Sequence, residues 1–191
     1  FIGRGDIYHN DPLHINDVEE ININSVHFEK KNLFVSLGHT NMIILINPIT
    51  EKILWKISDG LFHQHDVDII NSEEIAIFNN NRIITDEDKV FKNNEIMIYS
   101  FKDKTLKSPF DNFLNKYEVK TINQGLQEFS KYGILIEEQN YGRLLFFRPH
   151  SDGKLVFEYI NKNNEKDDKL YQLHWSRLIK NEEKIDILRN L

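Results

Sequence analysis

The chain has no cysteine, which rules out a disulfide framework and any thiolate metal site. Its apolar runs stay short. None approaches the ~20 residues that a membrane-crossing helix needs, so no membrane insertion is expected. Positive charge is in deficit, with 24 Lys and Arg against 30 Asp and Glu and a net charge of -6. That balance argues against nucleic-acid partners, which call for basic patches. The lysines sit among acids, as in Glu29-Lys30-Lys31 and from Lys162 to Lys169, and read as solvated loops. No Gly-rich phosphate loop, Ser-x-x-Lys or His-Glu-x-x-His occurs, and no cofactor is called for. Sustained helical periodicity is missing too.

What remains is β-type. At 191 residues and 40% hydrophobic, the chain can bury a substantial core. Its apolar runs are short and bounded by turn residues. A first group reads Ser25 to Phe28, Leu33 to Leu37, Met42 to Ile46 and Lys52 to Ile57. A second holds His65 to Ile70, Glu74 to Phe78, Glu95 to Phe101 and a run near Leu106, with a long loop from Asn79 to Asn94. A third holds Tyr117 to Ile122, Leu126 to Phe129, Ile134 to Glu138, Arg143 to Phe147 and Lys154 to Ile160. Asn112 to Lys116 offers a helical turn. After the polar linker Asn161 to Lys169, Tyr171 to Ile179 opens a fourth group, with Ile185 to Leu188 as its second strand.

One hairpin recurs, over Ile43 to Trp55, Ile96 to Leu106 and Leu144 to Phe157: an apolar strand, a polar turn with Thr or Gly, then a second strand. A hairpin about every 50 residues, with further strands before each copy, is the signature of four-stranded propeller blades. The expected fold is an all-β propeller in one domain, with about three blades and part of a fourth. The spans are approximately 11–60, 61–110, 115–161 and 170–191. A β-sandwich is the competing architecture, and the repeat favours the propeller. Since propellers carry ~4–8 blades and the chain opens at Phe1 without Met, further blades are expected before it. Trp55, Phe78 and Phe146 are expected to pack between blades, and Trp175 in the core.

The chemistry concentrates around Phe62-His63-Gln64-His65-Asp66. Two imidazoles spaced by two share a face on a strand. His14-Ile15-Asn16, His39-Thr40-Asn41 and Gln124-Gly125 fall at comparable strand edges, and in a propeller all would converge on one funnel. Three uses are open. A neutral imidazole can attack a phosphoryl or sulfuryl centre, His63 and His65 with a third histidine and Asp66 can hold zinc or a similar ion, or the ring can simply bind a ligand.

Taken in order, Leu13 to Val18, Leu37 to Asn41, Ile53-Leu54-Trp55, Gln64-His65-Asp66, Ile77 to Asn80, Gln124-Gly125 and Asn140 to Arg143 resemble the bacterial aryl sulfotransferase family. The similarity spans about residues 11 to 180. The resemblance implies a six-bladed propeller that moves a sulfuryl group from an aryl sulfate to a phenol through a sulfated histidine, without a nucleotide. It matches His65 to the nucleophile and His14 with Asn16 to the catalytic pair beside it. His39, His63, Gln124 and Arg143 are then candidate substrate-binding groups, and no metal is implied. The family setting implies a periplasmic or secreted protein. Gly38 stands where the family has an arginine, and losing that cation would cost several kcal/mol of transition-state stabilisation, roughly, unless His39 or Arg143 replaces it. A non-catalytic propeller that binds a small molecule or a protein in the same funnel is the alternative.

Overall fold

A computed structural model describes residues 11–84, 89–148, 153–163 and 169–179. Three four-stranded antiparallel sheets follow one another along the chain. The first runs in sequence order through β1 (Ile15–Glu20), β2 (Leu33–Leu37), β3 (Met42–Asn47) and β4 (Lys52–Ile57). The second comprises β5 (Val67–Ile69), β6 (Glu74–Asn79), β9 (Glu95–Ser100) and β10 (Thr105–Lys107). A separate two-stranded hairpin, β7 (Arg82–Ile84) with β8 (Lys89–Phe91), is inserted between β6 and β9. A short helix, α1 (Asp111–Lys116), precedes the third sheet of β11 (Leu126–Ser130), β12 (Gly133–Glu138), β13 (Arg143–Arg148) and β14 (Lys154–Ile160). This is the propeller-blade pattern: an all-β chain whose outer two strands are the recurring hairpins.

The burial of each sheet follows from stacking. The second strands β2, β6 and β12 are covered on both faces and read as near-continuous apolar runs rather than alternating ones. Ile43 and Leu45 of the first sheet share a core cluster with Ile75 and Ile77 of the second. Phe78 and Ile96 of the second share another with Ile134, Ile136 and Phe147 of the third. Fully burying each such side chain is worth ~1.5–3 kcal/mol, so neighbouring sheets hold each other. Trp55 packs on Phe34 and Tyr99, and Phe78 is fully buried, as expected. Phe146 is only half-buried.

The innermost strands are joined by carboxylates. Asp17 on β1 accepts the Val67 N–H of β5 at 2.9 Å, and Asp66 accepts the Gln127 N–H of β11 at 2.8 Å. Glu128 on β11 in turn accepts the Leu178 N–H at 2.7 Å. The third link puts segment 169–179 beside the third sheet, although it forms only an isolated bridge, Leu170 with Lys162.

Several expectations are corrected. Ser25 to Phe28 is a bent connection, with Phe28 plugging the first core cluster; the inner strand is β1. Tyr117 to Ile122 is not a strand: the N–H groups of Tyr117, Glu118 and Val119 bond carbonyls of α1, that of Lys120 bonds Glu138, and those of Thr121 and Ile122 are taken by the side chains of Asn94 and Asn140. The long loop after Asn79 contains β7 and β8. Trp175 is 64% exposed, not core. Ile185 to Leu188, residues 164–168 of the linker and turn residues 149–152 lie outside the described residues. Among the described residues no helix is long and apolar enough to cross a membrane.

Candidate functional site

His63 and His65 come together, but not by strand alternation. They precede β5 in irregular backbone, with His63 in the left-handed region at φ 56°. The segment is held by asparagine oxygens: Asn79 accepts the Phe62 N–H at 2.8 Å and Asn41 the His63 N–H at 2.7 Å. The two rings meet edge to face at 5.3 Å.

His65 is 7% exposed and both of its nitrogens are engaged. Nδ1 lies 2.9 Å from Oδ1 of Asn80, and Nε2 accepts the backbone N–H of Gln124 at 3.0 Å. Burial pulls the imidazole down to about 4, against opposing hydrogen bonds from Asn80 and the His63 carbonyl, so the ring is neutral at pH 7. The Nε2 lone pair is covered by the Gln124 N–H, which any incoming metal or electrophile has to displace.

His14 stands across from it, 6.4 Å between ring centroids. His14 also adopts left-handed backbone, φ 52°. Its Nδ1 is 2.5 Å from Oδ2 of Asp11; a carboxylate only accepts, so Nδ1 carries the proton. That bond holds the Asp11 carboxyl below its ordinary value. His39 stacks on His14 at 4.1 Å and binds the Asp11 carbonyl through Nδ1. The donor atoms of Asp11, His14 and His39 fall within 4.8 Å of one another, the described group that could hold a metal, although Asp11 already serves His14. Asn16 donates from Nδ2 to the Gln64 carbonyl at 2.8 Å, while its buried Oδ1 has no partner.

His14, Asn16, His65 and Gln124 line one cavity of about 220 Å3, together with His174 and Trp175. The Gln139 side chain bonds Nδ1 of His174, and Arg177 lies 4.7 Å over the Trp175 ring. The same lining includes the carboxyls of Asp17 and Asp66 beside the Arg177 guanidinium, so the cavity joins an aromatic ring to groups of both signs. Along the axis a second cavity, about 350 Å3, is lined by Asp17, Glu19, Asp66, Asp68 and Glu128. Burial raises the Asp17, Asp66 and Asp68 carboxyls, the last to about 7, with Asp68 also repelled by Glu19 and Asp17.

Arg143 does not reach the histidines. Its guanidinium pairs with Glu138 and Glu158 and donates to the Tyr117 and Glu118 carbonyls. Buried Glu138 requires a cation at that spot, and the turn at Gly142 serves that pairing. The cation beside the histidines is Arg82, at the start of β7, whose Nη1 is 3.3 Å from Nε2 of His63 and also bonds Asn123. Sequence reasoning missed Arg82, Asp11 and Asn80. The signal for Asn80 was present in Asn79-Asn80-Asn81, all buried rather than a surface turn.

A family model, that of arylsulfotransferase (ASST), matches residues 2–162. No curated protein matches the chain.

Proposed function

The chain belongs to the arylsulfotransferase family, and on that footing we propose that it transfers a sulfuryl group from an aryl sulfate to a phenolic acceptor through a sulfated His65. The supporting observation is the neutral, tautomer-fixed His65 at the cavity wall, opposite the Asp11–His14 pair. In the first half-reaction the Nε2 lone pair forms a bond to sulfur as the S–O bond to the aryl group breaks. With its Nδ1–H kept on Asp11, His14 must enter this step carrying a second proton on Nε2, and it gives that proton to the departing phenoxide. In the second, an acceptor phenol loses its proton to His14 and attacks sulfur; the N–S bond breaks and His65 returns neutral.

The sulfuryl oxygens need donors. Gln124 N–H and Arg82 stand nearest the histidines on the geometry above, and Arg82 supplies the charge that Gly38 lacks. Asn16, one of whose amide hydrogens is committed to Gln64, keeps the second. His39 and His63 set the positions of His14 and Arg82. Trp175 and Arg177 would receive the aryl ring and the sulfate edge. Family membership points to action outside the cytoplasm.

The test is intact mass after incubation with an aryl sulfate, beside a His65→Asn control. A sulfuryl adduct in the wild type alone supports the reading. No adduct and no phenol release from folded protein would overturn it and leave a propeller that only binds.

A further inference from the structure

Asn80 is buried, 2% exposed, at the end of β6 beside the His65 ring. Its amide has one possible orientation. Nδ2 donates to the carbonyls of Thr121 at 3.0 Å and Gln124 at 2.7 Å, which uses both of its hydrogens. Oδ1 is therefore the atom that faces His65 Nδ1, and an oxygen there can only accept. The His63 carbonyl, 3.3 Å from the same nitrogen, also only accepts. On the other side of the ring the partner is a backbone N–H, which can only donate. Three partners of fixed polarity agree: the proton is on Nδ1 and the lone pair on Nε2.

The same amide also governs what covers that lone pair. The turn from Thr121 to Gly125 carries the Gln124 N–H, with Gln124 at φ 65° and Gly125 at φ 105°. Left-handed backbone at a non-glycine residue is held by its surroundings. Two of the turn's carbonyls rest on Asn80, Asn94 donates to the Thr121 carbonyl and accepts its N–H, and Asn140 accepts from Ile122 and Asn123.

We propose that Asn80 is the positioning residue of this site: through Oδ1 it keeps the His65 proton on Nδ1, and through Nδ2 it holds the Gln124 N–H on Nε2 until a sulfuryl group takes that place. The second half rests on the transfer reading; the first does not. As sulfur bonds to Nε2, the ring becomes cationic with its Nδ1 proton retained, and Asn80 Oδ1 accepts a stronger hydrogen bond from it. The displaced Gln124 N–H is left beside a sulfuryl oxygen.

The experiment is nitrogen-15 NMR of the full chain at pH 7, reading the histidine ring nitrogens and the Gln124 amide. The wild type is expected to show His65 protonated on Nδ1 and a Gln124 amide protected from hydrogen exchange despite its surface turn. Asn80→Ala, checked as folded by circular dichroism, should give a mixed tautomer and lose that protection. Its kcat with an aryl sulfate should fall on the order of 10²-fold with KM little changed. Asn80→Asp, which keeps an acceptor, should restore the tautomer but not the protection. Protonation of wild-type His65 on Nε2, or free exchange of Gln124, would overturn the proposal without any variant. The tautomer as expected in a protein that forms no sulfuryl adduct would support the role of Asn80 in orienting the ring and remove only the transfer reading.

Discussion

Gly38 lies against Asn16: a Cβ built on Gly38 comes within 2.5 Å of the Asn16 Nδ2 and 3.3 Å of the His14 Cδ2. The place where a larger residue would begin is already filled by the pair proposed to assist His65. Gly38→Ala is therefore expected to push Asn16 off the Gln64 carbonyl and to slow aryl sulfate turnover by roughly tenfold. Gly38→Arg should do the same or worse rather than restore a cation. Phenol release by the two variants checks this, and a gain with Gly38→Arg would mean that Asn16 moves aside freely.

Arg82 is expected to matter for transfer more than for folding. Arg82→Gln keeps polarity at Nη1 but removes the charge, and kcat/KM for an aryl sulfate should fall by on the order of 10²-fold. Arg82→Lys should recover part of it. Because the Arg82 charge contributes to holding His65 down, the His65 titration in Arg82→Gln should move up. Unchanged kinetics in that variant would remove Arg82 from the site.

His65 has a pH signature of its own. Its value of about 4 in the folded chain, against ~6.5 when unfolded, means that the unfolded state binds the proton first. The stability that this group contributes is present above about pH 6.5 and is lost as pH falls through about 4, on the order of 3 kcal/mol in total. Its NMR ring signals should stay fixed from pH 8 to 5. Titration near 6.5 would contradict the buried, doubly hydrogen-bonded ring.

The axial acids carry the opposite sign. Asp68, pushed up to about 7, faces Asp17 and Glu19 from β1 and Glu128 and Gln127 from β11, with Asp66 on its own segment and Arg177 at the rim. Its folded state holds a proton that the unfolded chain releases near ~3.9, so stability from this group falls as pH rises from about 4 to about 7. Asp68→Asn should raise Tm by roughly 5 °C at pH 8 and leave it nearly unchanged at pH 4. Thermal unfolding at the two values decides it; an equal gain at both would show a packing effect instead.

The outer hairpins were legible in the sequence because each pairs a strongly apolar strand with a polar turn. Lys52 to Ile57 and Lys154 to Ile160 match their strands end to end. The inner strands were legible unevenly: Leu126 to Phe129 anticipates β11 and His65 to Ile70 contains β5, whereas β1 was missed. β1 reads Ile-Asn-Asp-Val-Glu-Glu, since a strand beside the axis carries acids that bond the next sheet, and β5 is three residues long. The histidine cluster was found for a reason that fails: His14 and His63 point inward through left-handed backbone, not strand alternation. Asn80 and Arg82 escaped because their roles depend on groups 15 to 44 positions away, which no local pattern encodes.

The carboxylate links from Asp17 to Val67 and from Asp66 to Gln127 each join one sheet to its immediate successor, and that from Glu128 to Leu178 ties the third sheet to segment 169–179. Cooperativity in such an array passes only between adjacent members, as in a one-dimensional chain of coupled units. Two lesions flanking the second sheet, at Asp17 and at Asp66, should then depart from additivity in free energy. The segment that carries His65 belongs to that second sheet, between two neighbours, so a lesion in either adjoining sheet reaches it directly.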